Sequence, residues 1–269
     1  MESRGKSNQA MIVSAFRAAR LSALPLASFP GVPPATLAEA YGMQDAAIAV
    51  FPGQVRGWKI AGILPEFREA LGAVRLAGPV FEQAVRIADG AITVNFPVFP
   101  GGFAAVEAEF IFRMGRDILP GETLDHEHLL TAIASMHAGV ETAGSPFAGI
   151  NDLGPLAVIS DFGNNNGLIV GAELPGWRDA PLETLTSETR INGIPAGAGS
   201  AAKVAGGPIA ALEFLIGNLG SRGITLHAGD YVSTGMTTGI HHVVAGDLAV
   251  FDFAGGIRIA SRAVTANPA

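Results

Sequence analysis

Hydrophobic periodicity separates a helical beginning of the chain from a mostly β remainder. Apolar residues recur at helical spacing from Met11 to about Leu26, and Pro25 ends that pattern. A second, alanine-rich helix is predicted over residues 33–51, with Thr36 as its start signal. The first fifty residues are therefore predicted to be mainly helical.

Strand-like alternation begins in "GWKIAGIL", around Lys59, and returns in "GAITVNFPVF". Pro97 and Pro100 exclude a long central strand in the second segment, because proline cannot donate a hydrogen bond to a neighbouring strand. Further along, Asn192-Gly193 predicts a hairpin turn. The last part of the chain is predicted to form short strands separated by Gly-Asp turns.

Two further helices are predicted within the β region. In "TLDHEHLLTAIASMH", Asp125 is the expected N-cap, and the apolar stripe runs from Leu129 to Met136. The segment "GPIAALEFLIGNLGSRG" has a proline at its start, one apolar face and glycines at its end. The pattern as a whole predicts helices at the N-terminus followed by a β body with two inserted helices.

Composition and charge narrow the classes of function. The 269 residues are 49% hydrophobic and 15% charged, which is typical of a folded chain with a substantial core. A net charge of −7 without a Lys/Arg cluster argues against a nucleic-acid partner. The lack of cysteine excludes disulfides, zinc–thiolate sites and thiol nucleophiles. Arg17 and Arg20 interrupt the first apolar segment, so neither a signal peptide nor a membrane span is expected. We therefore expect a cytoplasmic location.

The strand-like segment "AVEAEFIF" contains two carboxylates that project from the same face, Glu107 and Glu109. One interpretation is the exposed face of an amphipathic strand. The other is a site for a hard divalent cation, because Mg²⁺ is typically held by carboxylate oxygens. The second interpretation needs at least one more acid, and Glu141 and Asp161 are both candidates. Their spacing does not choose between them.

Several segments occur in an order that resembles the 2-keto-4-pentenoate hydratase and 4-oxalocrotonate decarboxylase branch of the fumarylacetoacetate hydrolase superfamily. They are "GWKIAG", "VEAEFIFRMGRDI", "AGVE", "ISDFGNNNGLIVG" and "LHAGDYVSTG". The similarity runs from about Gly57 to Ile259, and its most specific part is the Glu-x-Glu strand followed by a third acid. It implies that Glu107, Glu109 and Glu141 hold Mg²⁺ or Mn²⁺.

The resemblance also implies an α+β fold, a mixed β-sandwich roll with N-terminal helices, assembled as a homo-oligomer. We expect residues 1–72 to form a mainly helical portion that contributes Lys59, and residues 73–269 to form the β-rich, metal-binding catalytic core, with no flexible linker between them.

Two catalytic residues follow from the resemblance. Lys59 matches the lysine of a "GYKVG"-like segment, and an ammonium whose pKa is lowered by burial can act as acid or base. The alternative is a lysine whose head lies in water. Asp161 matches the aspartate of an "ADNAS"-like loop, although Phe162 and Gly163 replace the next two residues. Substrate contacts are implied for Asn164, Ser233, Thr234 and His241. For His241 a structural role is equally open.

The chain departs from the family at one more position. Relatives carry an acid after a "GxLF" segment, whereas this chain has "GPVFEQ". Gln83 cannot transfer protons, and Glu82 would replace the acid only in a shifted register.

The activity implied by the resemblance is metal-dependent addition of water to a 2-hydroxy-2,4-dienoate, which gives a 4-hydroxy-2-keto acid in aromatic meta-cleavage catabolism. Decarboxylation of a 2-keto-enedioate is the first alternative, and hydrolysis of an acylpyruvate C–C bond is another. A non-catalytic binding protein with the same fold is also an alternative. The expected protein partners are further copies of the chain and a downstream aldolase.

Overall fold

The computed structural model describes residues 2–90 and 92–268, and in this part of the chain no helix is long and apolar enough to cross a membrane. Its α-helices are α1 (Glu2–Ser22), α2 (Leu37–Val50), α3 (Pro65–Leu71), α4 (His126–Ala132), α5 (Pro155–Ser160) and α6 (Gly207–Ser221). Its strands are β1 (Val55–Gly62), β2 (Arg75–Phe81), β3 (Val85–Ile87), β4 (Val94–Val98), β5 (Phe103–Met114), β6 (Ile133–Ser145), β7 (Asn165–Glu173), β8 (Thr186–Ile191), β9 (Ile194–Ser200), β10 (Tyr231–Ser233), β11 (His241–His242), β12 (Leu248–Phe253) and β13 (Ile257–Thr265).

The strands form two mixed sheets. The larger has the order β2-β1-β10-β5-β6-β7-β3, with β11 added to β5, and the smaller has the order β4-β13-β12-β8-β9. The pairs β1–β10, β3–β7 and β4–β13 are parallel, and the other pairs are antiparallel. The expected α+β fold, a mixed β-sandwich roll with N-terminal helices, is therefore confirmed.

The two faces of β5 have different neighbours, as the alternation of a strand requires. Val106, Ala108 and Phe110 are buried in the main core, where the Phe110 ring lies 5.8 Å from that of Phe253 in the smaller sheet. On the opposite face, Phe103 and Ala105 belong to a second apolar cluster. That second face also carries the two carboxylates of the strand.

The N-terminal helices cover this second face of the large sheet. Ile12 and Phe16 of α1 and Met43 of α2 pack in the same buried cluster as Phe103. Thr36 caps α2 by accepting a hydrogen bond from the Glu39 backbone N–H, as predicted. Both helices are thus held in place by the apolar faces that the periodicity predicts.

Residues 1–72 also contribute one strand to the interior of the large sheet. β1 pairs with β2 on one side and with β10 on the other, and Lys59 lies opposite Gly78 and Ser233. The predicted division near residue 72 remains a prediction from the sequence.

The helix predicted to reach Met136 is shorter than expected. Asp125 caps α4 as predicted, by accepting a hydrogen bond from the His128 backbone N–H. The helix ends at Ala132, and Ile133 begins β6, which pairs with β5 over its whole length. Pairing with a long neighbouring strand outweighs the local helical spacing of these apolar residues.

Two turn and edge predictions are confirmed. Asn192 and Gly193 both have positive φ, 52° and 82°, and connect β8 to β9 as a tight hairpin. Pro97 lies in β4, which among the described strands pairs with β13 alone and forms an edge of the smaller sheet. Proline is tolerated there because its missing N–H faces away from any neighbouring strand.

Candidate active site

The candidate site is built around three glutamates on two adjacent strands. Glu107 and Glu109 project from the same face of β5, and Glu141 of β6 is the direct cross-strand partner of Glu107. One carboxylate oxygen from each of the three lies within 4.8 Å of the others. All three side chains are buried, at 7% exposure or less, so the exposed-strand interpretation is wrong.

Lys59 reaches the same cluster from β1. Its Nζ lies 3.2 Å from Glu141 Oε1, and both side chains are almost fully buried. The strand between β1 and β5 is β10, whose Ser233 is paired with Lys59 on one side and with Ile111 on the other. The cluster therefore crosses four neighbouring strands, β1, β10, β5 and β6. Residues distant in sequence meet because of this strand order.

Polar groups of the protein hold the glutamates in place. Ser233 Oγ donates a hydrogen bond to Glu109 Oε2 at 2.5 Å, and the Gly235 backbone N–H donates to the same oxygen at 2.7 Å. Asn165 Nδ2 donates to Glu141 Oε1 at 3.1 Å. Glu109 and Glu141 thus each have one oxygen that the protein holds in place and one oxygen left for another partner.

Burial and mutual repulsion hold protons on the glutamates. Burial, reinforced by Glu141 and opposed by Lys59, raises the pKa of Glu107 from 4.5 to about 8. Burial, together with Glu141 and Glu107, raises the pKa of Glu109 well above its usual value. The protein without a bound cation therefore carries protons on this cluster at neutral pH.

The expectation that the pKa of Lys59 is lowered is wrong for this structure. Burial by itself lowers the pKa of Lys59, but the attraction of Glu141, Glu107 and Glu109 outweighs burial and raises it. The ammonium is consequently charged at neutral pH when no other cation balances the glutamates.

The donor set fits a hard divalent cation. Glu109 Oε1 and Glu141 Oε2 are buried and have no hydrogen-bond partner in the described part of the chain. Unpaired buried carboxylate oxygens are costly unless a charge or a donor meets them. As metal ligands the three glutamates would be deprotonated, and together with the Lys59 ammonium they would carry a charge of −2. Oxygen-only ligands of this kind are those that Mg²⁺ and Mn²⁺ prefer.

A cavity of about 430 Å³ opens beside the cluster. Lys59, Glu107 and Asn164 line its polar part, and Phe67 and Phe103 are among the apolar residues that line the rest. The cavity is therefore polar beside the three-glutamate cluster and mostly apolar elsewhere. This division is typical of sites that hold the reactive end of a small molecule by a few polar groups.

The residues expected to contact substrate differ in their surroundings. Asn164 lines the cavity and donates a hydrogen bond to Asn151 Oδ1 at 3.1 Å, while its own Oδ1 is buried without a partner in the described chain. Ser233 binds Glu109, as described above. Thr234 Oγ1 donates to the Phe110 carbonyl oxygen at 2.7 Å. The substrate-binding roles of these residues remain predictions, and only Asn164 presents a free polar atom.

Of the two adjacent histidines, His242 and not His241 lines the cavity. The ring of His242 packs edge-on against Phe103, with centroids 5.4 Å apart. His241 Nε2 lies 3.1 Å from Thr238 Oγ1, and burial lowers its pKa. Neighbouring residues in a strand point to opposite faces, so the sequence pair could supply only one of them to the cavity.

Asp161 is buried in an ion pair with Arg20 of α1, whose Nε donates to its Oδ1 at 2.6 Å. Arg20 also donates to the carbonyl oxygen of Asn165 at 3.1 Å and lies over the Phe162 ring at 5.1 Å. The catalytic role of Asp161 remains a prediction. That Arg20 holds Asp161 in place was not predicted from the sequence. A charged residue on the apolar face of a predicted helix usually has a buried partner, and this signal could have indicated it.

The loop that follows Asp161 packs closely against β1 and β2. A Cβ at Gly78 would lie 2.1 Å from the Phe162 carbonyl oxygen, so this approach requires glycine. Gly163 has a φ of 63°, and a Cβ there would lie 3.3 Å from Lys59 Cε. The unusual "DFG" sequence therefore borders the lysine directly.

The two residues considered for the missing acid lie in a surface turn. Glu82 is exposed and accepts a hydrogen bond from the Gln54 backbone N–H at 3.2 Å. Gln83 Nε2 donates to the Pro52 carbonyl oxygen at 3.0 Å. These contacts stabilise the turn before β3.

Comparison with protein-family models and with curated proteins finds no match. Solved structures do match. Two structures of 4-oxalocrotonate decarboxylase from Pseudomonas putida G7, one complexed with calcium and acetate and one with magnesium and adipate, share 20% identity with this chain at a TM-score of 0.78. Each match covers 96% of this chain and 98% of that chain. The chain has the fumarylacetoacetate hydrolase fold.

Two further structures share this fold with lower similarity. Fumarylpyruvate hydrolase from Pseudomonas aeruginosa, in complex with Mn²⁺ and pyruvate, is 14% identical, with a TM-score of 0.58, and the match covers 80% of this chain and 91% of that chain. A Yersinia pestis CO92 protein assigned to the fumarylacetoacetate hydrolase family is 18% identical, with a TM-score of 0.55 and coverage of 82% and 98%. The family resemblance of the sequence is thus confirmed at the level of the fold.

Proposed function

We propose that the protein is a metal-dependent lyase that decarboxylates a 2-keto-enedioate. The observation that carries this proposal is the buried cluster of three glutamates and Lys59 beside a cavity, in a fold that matches 4-oxalocrotonate decarboxylase over 96% of the chain. Three of the matched structures are complexes with calcium, magnesium or Mn²⁺ together with acetate, adipate or pyruvate. Membership of the same superfamily, and of its hydratase and decarboxylase branch, is part of the proposal.

Glu107, Glu109 and Glu141 would hold Mg²⁺ or Mn²⁺. A divalent cation there would bind the oxygens of a 2-keto acid and stabilise the negative charge that develops on the C2 oxygen. Ser233 and Gly235 keep Glu109 oriented, and Asn165 keeps Glu141 oriented, so the ligand oxygens need little rearrangement.

In the proposed reaction the bond between C5 and C6 of the substrate breaks and CO₂ leaves. The electron pair moves through the conjugated carbons to the C2 oxygen, and the Lys59 ammonium supplies the proton that completes a 2-hydroxy-dienoate. Lys59 suits this role because it lines the cavity and its Nζ lies 3.2 Å from Glu141 Oε1, beside the proposed metal ligands.

The lining of the cavity favours loss of a carboxylate over its retention. In the described chain the lining contains no arginine and no lysine other than Lys59. A carboxylate at the far end of the substrate therefore has no fixed cation to bind, and leaving water for an apolar wall destabilises its charge. Conversion to uncharged CO₂ relieves that cost.

Hydration of a 2-hydroxy-2,4-dienoate is the second candidate, and the residues favour it in one respect. Asp152 lines the same cavity and would repel the second carboxylate of a diacid. A monoacid enters such a cavity more easily, and Lys59 would then move the proton that converts the dienol to its keto form before water adds at the conjugated carbon.

An ultraviolet assay with product masses separates these reactions. The purified protein would be given 2-oxohex-3-enedioate and, separately, 2-hydroxypenta-2,4-dienoate, each with Mg²⁺ and with a chelator. Loss of CO₂ from the diacid, only with metal, is the expected result. Gain of one water from the dienoate alone would replace decarboxylase by hydratase, while full activity in chelator would contradict the metal site. Inactivity on both acids would contradict the lyase proposal. Assembly into a homo-oligomer, a partner aldolase and a cytoplasmic location remain predictions.

A further inference from the structure

The cavity beside the glutamates is larger than a short, unbranched keto acid needs. Its volume of about 430 Å³ lies within the range of about 300–1,000 Å³ that holds drug-sized ligands. The polar groups that would bind the keto-acid end, Lys59, Glu107 and Asn164, occupy only part of the lining. An apolar group in the remaining space would gain packing contacts with the apolar walls that water does not supply.

Most of the remaining lining is apolar, although Asn151 also lines the cavity there. Ile63, Leu76 and Val158 line it together with Phe67 and Phe103. The charged or titratable residues of the lining, outside the polar part, are Asp152 and His242. A second carboxylate of the substrate would meet the Asp152 carboxylate there, and no permanently charged cation. An apolar group is therefore a better occupant of this space than a charged group.

The opening of the cavity carries three apolar side chains that are also exposed to solvent. Leu64, Met236 and Ile240, which we call the apolar rim, are 60%, 46% and 42% exposed and all line the cavity. Leu64 directly precedes α3, whereas the other two lie in the loop between β10 and β11. Large apolar side chains grouped at one opening mark a binding surface more often than scattered ones do. Methionine adds an adaptable contact to such a surface.

From these observations we propose that the natural substrate carries an apolar substituent, alkyl or aryl, on the carbon remote from the keto acid, and that the apolar rim and Phe67 bind it. This inference rests on the proposed function, because the glutamate cluster fixes the keto-acid end and so directs C5 of the substrate towards the apolar part of the cavity. It applies to either parent acid, the enedioate or the dienoate, since both carry C5 at the same distance from the keto group.

The experiment measures kcat/KM on whichever parent acid is turned over, in a series with hydrogen, methyl, propyl and phenyl at C5. Each methylene that leaves water is expected to raise kcat/KM about three- to fourfold, so the propyl compound should exceed the unsubstituted acid by at least tenfold. Equal or falling kcat/KM along the series would overturn the inference and leave the proposed function standing.

Two variants test whether the apolar rim causes the rise of kcat/KM with the size of the C5 substituent. Met236→Gln keeps the length of the side chain but makes it polar, and should reduce the ratio of kcat/KM for the propyl and unsubstituted compounds. Ile194→Gln is the matched control, because Ile194 is 69% exposed on β9 and does not line the cavity. A ratio that responds equally to both substitutions would contradict the role of the rim.

A binding measurement separates the two proposals if neither parent acid reacts. Unreactive saturated 2-keto acids, from 2-oxobutanoate to 2-oxooctanoate and 4-phenyl-2-oxobutanoate, would be added to the Mg²⁺-containing protein at equal concentration. A rise in Tm that grows with the apolar tail would support the ligand class although the lyase proposal had failed. A rise independent of the tail, or none, would overturn the inference.

Discussion

Glu107 and Glu141 are directly opposite each other across the β5–β6 ladder, and both carboxylates are buried. Like charges in such a position destabilise a sheet, and in the described part of the chain the ammonium that lies beside them is that of Lys59. The pair is therefore expected to lower the stability of the metal-free protein, and a bound divalent cation is expected to remove this effect. This relationship leads to predictions about metal binding and pH as well as activity.

Glu107→Gln should weaken Mg²⁺ binding strongly and reduce turnover by about 100-fold or more, because one charged ligand is replaced by a neutral one. The same substitution should raise the Tm of the metal-free protein at neutral pH, since burial and Glu141 make Glu107 take up a proton on folding, whereas glutamine is neutral in both states. Calorimetric titration with Mg²⁺ and thermal unfolding in chelator measure the two effects.

The matched control is Glu82→Gln, at an exposed glutamate in a surface turn. It should leave Mg²⁺ affinity unchanged. Equal Mg²⁺ affinity in wild type and Glu107→Gln would remove Glu107 from the ligand set.

The stability of the metal-free protein should depend on pH through Glu107. Its pKa is raised in the folded protein from 4.5 to about 8, so the folded state keeps a proton that the unfolded state releases. This contribution to stability is fully present below pH 4.5 and is lost as the pH rises to about 8, by a few kcal/mol in total.

Urea unfolding in chelator between about pH 5 and about pH 8.5 tests this sign. The difference in unfolding free energy between wild type and Glu107→Gln should fall with rising pH. A difference that is constant or rises would show that Glu107 is ionised in the folded metal-free protein. With saturating Mg²⁺ the trend should reverse, because the cation binds the deprotonated form.

Much of the fold could be predicted from local pattern. The N-terminal helices, the caps at Thr36 and Asp125 and the turn at Asn192 each depend on residues close in sequence. The end of α4 could not be predicted, because Ile133 and Met136 have helical spacing but take their partners from β5. Where local and long-range preferences conflict, the long strand pair prevails.

The site shows the same limit. Period-two alternation places Glu107 and Glu109 on one face, but the choice of Glu141 over Asp161 came from family resemblance and not from spacing. The structure adds a reason, since Glu141 lies opposite Glu107 whereas Asp161 pairs with Arg20. The order β1-β10-β5-β6, which brings Lys59 to the cluster, is a long-range property that no local pattern encodes.

Lys59→Met should reduce turnover by about 100- to 10,000-fold, the range typical of losing a general acid or base. Mg²⁺ affinity should be retained or increased, because a competing cation is removed from beside Glu141. Lys59→Arg should not restore turnover, since a guanidinium keeps its proton. Lys203→Met, at an exposed lysine, is the control for loss of a positive charge. Turnover close to wild type in Lys59→Met would contradict the proposed role.

Arg20 and Asp161 allow a structural role to be separated from a catalytic one. Removing one partner of a buried ion pair typically costs about 3–5 kcal/mol, so Arg20→Met and Asp161→Asn should each lower stability by a similar amount. The double variant should cost less than the sum of the two single variants, because both remove the same pair.

Turnover decides the remaining question about Asp161. If Asp161 acts only by orienting the loop beside Lys59 through Arg20, both single variants should lose the same fraction of kcat when assayed well below their Tm. A much larger loss in Asp161→Asn than in Arg20→Met would instead give the carboxylate a chemical role of its own. Because its partner lies in α1 and its loop borders Lys59, we expect the two losses to be equal, which would make Asp161 a positioning residue.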